Sequence, residues 1–274
     1  MNRYPAVAAL LCAVAIAACE KNGVQDITLP ELPGAQIRFF NFGVNAPSVN
    51  FYANTTKFTA TGSATCSPAP TDTVQLRICR ETGAEATTGV SYGAASVAST
   101  GMYSAIAPGT YTLKGTIAAT TDHDLAVASV NTTIEAGKYY SYYVSGFYNT
   151  TAKTVEAFIV EDPIPPFDYS VAKVRFVNAI SNSNPMALIA KSTTAPNADT
   201  PIGGDVPYKS AGTFVSVAPG SYDLRTTGTT ANLPVRTGVT FAAGRVYTIS
   251  ARGDITVAGT TATNRPFLDN TTNR

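Results

Sequence analysis

Five short stretches hold the residue types from which a site could be built. Gly89-Val90-Ser91-Tyr92-Gly93 spells G-x-S-x-G, the pattern that in hydrolases sets a nucleophilic serine on a strained strand-to-helix turn. Its base would have to be His123, the only histidine in the chain, which stands between Asp122 and Asp124. Such a pair would do acyl-transfer chemistry. The context is against it: "AASVASTGMYSAI" after Gly93 leads into another strand, not a helix. The Asp-His-Asp tripeptide points its side chains in different directions on an extended chain and reads as a hairpin tip. Arg252-Gly253-Asp254 is the tripeptide that animal integrins recognise, a weak match at three residues. No D-x-D-x-D-G calcium loop is present.

Cys66 and Cys79 offer two readings. In an exported protein an isolated pair most simply forms a disulfide, stabilising by roughly 3 kcal/mol through its short loop. A metal site is the rival, and two thiols without nearby histidines are a poor ligand set. The last stretch, "KYYSYYVSGFYN" from Lys138, alternates. Tyr140, Tyr142 and Val144 share one face and should point to a core; Tyr139, Ser141 and Tyr143 share the other. Tyr139 and Tyr143 offer flat rings with polar tips, suited to stacking on sugars or peptides. The competing and favoured reading packs them on neighbouring protein, since strands are rich in Tyr anyway.

Whether these residues can meet depends on the elements that carry them. Hydrophobic residues make up 45% of the 274-residue chain, enough for packed cores and too many for a disordered chain. The net charge is +1 with 14% charged residues, so no basic surplus exists to neutralise nucleic acid. Tyr, Gly and Pro are frequent, and no long helical period appears beyond the first residues. Apolar residues instead alternate, as Tyr111 and Leu113 do, or Tyr247, Ile249 and Ala251, which marks half-buried strands.

The pattern occurs twice. Ile37-Arg38-Phe39-Phe40-Asn41 matches Val174-Arg175-Phe176-Val177-Asn178. Val90-Ser91-Tyr92 matches Val206-Pro207-Tyr208, which puts a proline where Ser91 stands. "IAPGTYTL" from Ile106 matches "VAPGSYDL" from Val217, and "TIEAGKYYSYYVSG" from Thr133 matches "TFAAGRVYTISARG" from Thr240. The Pro-Gly pairs are expected to form type II turns. The first copy is longer, and its extra residues carry both cysteines. Between the copies lies a stiff, proline-rich linker at Pro163, Pro165 and Pro166. The expectation is all-β: two tandem antiparallel β-sandwiches of immunoglobulin or transthyretin type, at 35–162 and 169–274, joined by 163–168.

The start of the chain, "MNRYPAVAALLCAVAIAACEKNG", has a basic residue, a short apolar run and small residues before Cys19. The run is too short to span a membrane and fits a secretory signal over 1–18. Ile16-Ala17-Ala18-Cys19 resembles the bacterial lipobox, which implies cleavage before Cys19 and lipid on its thiol. Glu20 is not the retention residue Asp, which points to the outer membrane where the cell has one. Residues 19–34 are then expected to form a flexible tether. V-R-F-V-N, A-P-G-x-Y and A-G-x-x-Y together resemble domain of unknown function 4397, whose members are bacterial exported proteins, often lipoproteins with the unit in tandem. That resemblance implies a β-sandwich in the cell envelope and transfers no catalytic residue.

The expected role is therefore non-catalytic: binding, adhesion or structure at the envelope. The membrane is engaged through the lipid anchor, with a glycan or another envelope protein as partner and no cofactor. The alternative is a serine hydrolase-like enzyme using Ser91 and His123.

Overall fold

The computed structural model describes residues 34–58, 64–65, 84–85, 89–95, 103–228 and 233–274. Cys19, Cys66 and Cys79 lie outside them, and with them the anchor and disulfide expectations. The regular elements of the described residues are strands. The first copy has β1 (Ala35–Asn41), β2 (Val49–Ala53), β3 (Thr56–Lys57), β4 (Ala64–Thr65), β5 (Ala84–Glu85), β6 (Ala94–Ala95), β7 (Ser104–Ile106), β8 (Gly109–Ile117), β9 (Ala126–Ile134), β10 (Tyr139–Asn149) and β11 (Thr154–Glu161). The second has β12 (Ala172–Asn178), β13 (Met186–Ser192), β14 (Asp199–Val206), β15 (Ser210–Ala211), β16 (Val215–Val217), β17 (Gly220–Thr227), β18 (Val235–Phe241), β19 (Val246–Arg252) and β20 (Phe267–Thr272).

Each copy is a sandwich of two sheets. In the first, β11-β10-β1-β6, with β7 also on β1, covers β3-β2-β8-β9; a separate β4-β5 ribbon belongs to the long insertion. In the second, β15-β12-β19-β20, with β16 also on β12, covers β14-β13-β17-β18. The repeat seen in the sequence is a repeat in space: Ile37 pairs with Tyr140 as Val174 pairs with Tyr247. Phe39, Phe51 and Tyr142 fill the first core, with Phe39 and Phe51 stacked at 5.1 Å. Phe176, Leu188, Leu224 and Phe241 fill the second. Each such side chain contributes about 1.5–3 kcal/mol by leaving water.

Two expectations change in detail. The sheets are antiparallel except for one ladder in each sandwich, where β1 runs parallel to β10 and β12 to β19. Parallel ladders are tolerated where both faces are covered, and all seven residues of β1 are buried. The Pro-Gly corners are not type II turns. Gly109 and Gly220 have φ of 155° and 158°, far from the type II value of about +80°, and they already pair in β8 and β17 with Ile134 and Phe241. The corner is closed instead by tyrosine. Tyr111 Oη donates to the Ala107 carbonyl at 2.9 Å, and Tyr222 Oη to that of Ala218 at 2.7 Å. The ring must pass over the glycine, where a Cβ would stand 3.6 Å from it. This is the hydrogen-bonding logic of a tyrosine corner. A second tyrosine serves the A-G-x-x-Y turn: Tyr140 Oη accepts from Glu135 N, and Tyr247 Oη from Ala242 N, both at 3.1 Å.

The two sandwiches share a third core. Phe40, Phe42, Tyr143 and Phe158 from the first meet Val177 and Ala179 from the second. The outward faces of the β1 and β12 sheets therefore pack on each other, which gives four layers of sheet.

Candidate functional site

The predicted chemistry is not assembled. Ser91 lies exposed on a turn, and its carbonyl accepts from Ala94 N at 3.1 Å. His123 sits in a turn whose flanking Asp122 and Asp124 have φ of 56° and 63°. Its Nδ1 is 3.1 Å from Asp124, while Asp122 pairs with Lys153. No hydrogen bond joins Ser91 to His123 among the described residues. Nor do three His, Cys, Asp or Glu side chains gather there in a group that could hold a metal ion. Arg252 is turned inward: it pairs with Asp269 and lies over the Tyr92 ring at 4.9 Å. Asp254 closes its own turn on Thr256, accepting from its amide at 2.9 Å. The tripeptide is thus not displayed as a loop ligand.

Tyr143 requires a correction as a ligand platform. It is 0% exposed, stacked on Phe40 at 4.8 Å and Phe158 at 5.0 Å. The face that alternation turns away from the first core faces the second sandwich, so packing on neighbouring protein is what this ring does. Tyr139 is half-buried, edge-on to Tyr103 at 5.1 Å.

What the fold does bring together is a buried polar centre between the sandwiches. Alternation on β1 puts Ile37 and Phe39 in the core and Arg38 on the other face; β12 does the same with Arg175. Both arginines are buried, at 0% and 1% exposure. Asp162, the residue after β11, is buried between them. It pairs with Arg175 through Oδ1 and lies 3.7 Å from Arg38 through Oδ2. Arg38 Nε donates to Ser141 Oγ at 2.8 Å, and Ser141 donates to Asp162 at 2.6 Å. Tyr103 Oη donates to the same carboxylate at 2.5 Å; burial pushes that phenol well above its ordinary pKa, so it stays a donor.

The other half of the centre repeats this with substitutions. Arg175 Nε donates to Thr248 Oγ1 at 3.1 Å, and Thr248 donates to Asn273 Oδ1 at 2.8 Å. Asn273 follows β20 as Asp162 follows β11; their amides bond to the carbonyls of Val246 and Tyr139, both at 2.7 Å. Arg38 lies over Tyr103 at 4.5 Å, and Arg175 over Phe214 at 4.9 Å. One carboxylate thus serves two guanidinium groups, with Asn273 in the second acceptor place and donating to Tyr103 Oη at 3.0 Å.

The flanks are reciprocal as well. Tyr92 of the first copy reaches Arg252 of the second. Its counterpart Tyr208 reaches back to the matching place in the first, 3.2 Å from Ser145 Oγ, and donates to Glu156 at 2.7 Å. Lys209 adds an ion pair to Glu156 at 3.3 Å. On the line between the copies, matched residues meet each other: Tyr143 Oη lies 3.4 Å from Ser250 Oγ. A contact in which each copy offers the same patch is isologous, the arrangement of a two-fold dimer, here within one chain.

This centre was not read from the sequence as a site, although a signal was there. An arginine interrupts an apolar strand at the same position in both copies, and buried charge is rare unless paired. The motif asparagines have a structural duty. Asn41 Nδ2 donates to Val90 O at 2.9 Å, and Asn178 Nδ2 to Val206 O at 3.1 Å, so each anchors the segment that leads to the reciprocal tyrosine.

No curated protein matches the chain. The family model described as domain of unknown function 4397 matches residues 35–189 and again 172–273. The strand arginine, the motif asparagine, the tyrosine corner and the A-G-x-x-Y turn recur in both matched segments, and the chain belongs to the domain of unknown function 4397 family, with its unit in tandem.

Proposed function

We propose that the protein is a non-catalytic, lipid-anchored component of the bacterial cell envelope, whose tandem units form one stiff body that binds or braces an envelope or extracellular partner. The observation that carries this reading is the buried Arg38–Asp162–Arg175 centre. A binding protein on a tether gains from a body that does not flex between its units, because ordering a loose body on binding costs affinity. Signature residues of the repeat are spent on joining the copies rather than on lining an open cleft. The lipobox-like start supports the anchor.

The placement of Ser91 and His123 favours this over the hydrolase reading. Ser91→Ala and His123→Ala are expected to leave hydrolysis of ester and peptide substrates, and the phenotype of the producing cell, unchanged. Abolition of a measurable turnover by either substitution would establish the enzyme instead. Labelling with radioactive palmitate should mark the wild type and spare Cys19→Ser; equal labelling of the two would remove the anchor.

A further inference from the structure

Exposed aromatic side chains at the junction of linker and second sandwich stand at the end of the body where the chain enters it. Phe167 is 59% and Tyr169 78% exposed. Their rings stack at 5.8 Å, 11° from parallel. Arg274 lies over Phe167 at 3.6 Å and donates to the Pro165 carbonyl at 2.7 Å. Pro163, Pro165 and Pro166 restrict this segment's backbone, so the rings are displayed rather than free to fold back.

Strand direction places the pair. Gly34 begins the described body, and its carbonyl accepts from Gly137 N at 2.8 Å, just before β10. Val171 does the same for Gly244 N at 2.9 Å, just before β19. β1 and β12 run side by side in one direction, because Arg38 meets Arg175 at Asp162 and Phe40 and Phe42 meet Val177 and Ala179. The starts of all four strands therefore share one end, with Phe167, Tyr169 and Arg274. Phe147, near the finish of β10, marks the opposite end.

We propose that this end seats on the bilayer that holds the anchor, with Phe167 and Tyr169 in the headgroup layer. The inference rests on the lipid-anchor reading. The 15 residues from 19 to 33 span at most about 50–54 Å, so the end of the body that carries both Gly34 and the aromatic pair is the end the tether holds towards the membrane. Aromatic rings with polar neighbours favour that interface, and the Arg274 guanidinium packed on Phe167 is such a neighbour. Arg245 is exposed at this end, and the lysines there are paired. Lys138 is held by Glu135 and Glu161, both at 3.0 Å, and Lys173 lies 3.8 Å from Asp168. The contact should therefore depend only weakly on salt.

The chain contains no tryptophan, so Phe167→Trp supplies a single reporter. The full-length lipidated protein is reconstituted on phosphatidylethanolamine–phosphatidylcholine vesicles, with flotation to measure attachment. Phe167→Trp is expected to emit further to the blue on vesicles than in solution and to lose most of its emission to lipids brominated on their acyl chains, at low and high salt alike. Phe147→Trp should do neither. Tyr169→Trp is the second probe should Phe167→Trp fail to reach the wild-type melting temperature. A Phe167→Trp protein that floats while its indole behaves like that of Phe147→Trp overturns the docking and leaves the anchor intact. So does a probe shielded from aqueous iodide yet unquenched by bromolipid, which means that protein covers it. If Cys19→Ser floats as well as wild type while Phe167→Trp is quenched, the anchor is wrong and the docking stands. Wild type that does not float overturns both.

Discussion

Removing Asp162 tests the reasoning about the buried centre. Asp162→Ala leaves Arg38 and Arg175, 0% and 1% exposed, without their shared counter-charge. It also takes the acceptor from Ser141 and one acceptor from Tyr103. Removing one partner of a buried ion pair costs about 3–5 kcal/mol, because the remaining charge stays buried. The guanidinium groups keep their rings, Tyr103 and Phe214, which moderates the loss without replacing an anion. For a body of this size the loss corresponds to a melting temperature lower by about 6–20 °C. Urea unfolding followed by far-ultraviolet circular dichroism, with a melting curve beside it, measures it. The triple variant Arg38→Met, Asp162→Leu, Arg175→Met should recover part of the loss, since apolar groups of similar volume replace buried ion pairs at little cost. Tyr103 keeps Asn273 as a partner there. An Asp162→Ala protein within about 1 kcal/mol of wild type would refute the argument: the arginines would then be satisfied by hydroxyls and rings, and the centre would not hold the copies together.

Tyr111→Phe and Tyr222→Phe each remove one hydroxyl-to-carbonyl bond and should each cost about 0.5–1.5 kcal/mol, read from urea midpoints; a neutral result at both would mean the tyrosine does not close the corner. Asn41→Ala removes the donor to Val90 from a fully buried site and should cost at least about 1–3 kcal/mol by the same measurement. The Tyr208 hydroxyl, followed by Lys209, holds the Glu156 carboxyl below the usual carboxylate range. A lowered folded-state pKa gives stability that is full above the unfolded value of about 4.3 and lost as pH falls through the folded value. The stability difference between wild type and Glu156→Gln should therefore shrink on acidification across that window; a difference independent of pH would show that the carboxylate charge plays no part in joining the copies.

Much of the architecture was legible because it is local. Alternation fixed which face of "KYYSYYVSG" meets the first core, and Tyr140, Tyr142 and Val144 are indeed buried there. The repeated motifs gave the matching of the copies, down to the equivalence of Tyr140 with Tyr247. The Pro-Gly corner was legible as a folding device but not in its geometry, because the glycine φ depends on where the tyrosine hydroxyl finds a carbonyl. The parallel β1–β10 ladder was not legible either. Period-two patterning gives faces and carries no information on strand direction or on partners a hundred residues away.

The sequence by itself determined two copies of one β-unit, their cores, and the weakness of the Ser91 and His123 motifs, since each follows from residue type and near neighbours. Only the tertiary structure decided what the outward faces do. Arg38, Ser141 and Tyr143 read as surface when one sandwich is considered alone, because polar and aromatic residues on a strand's second face are compatible with water. They are buried because a second copy covers them, and a single carboxylate at Asp162, placed by the end of β11, supplies the charge that makes burial of two arginines tolerable.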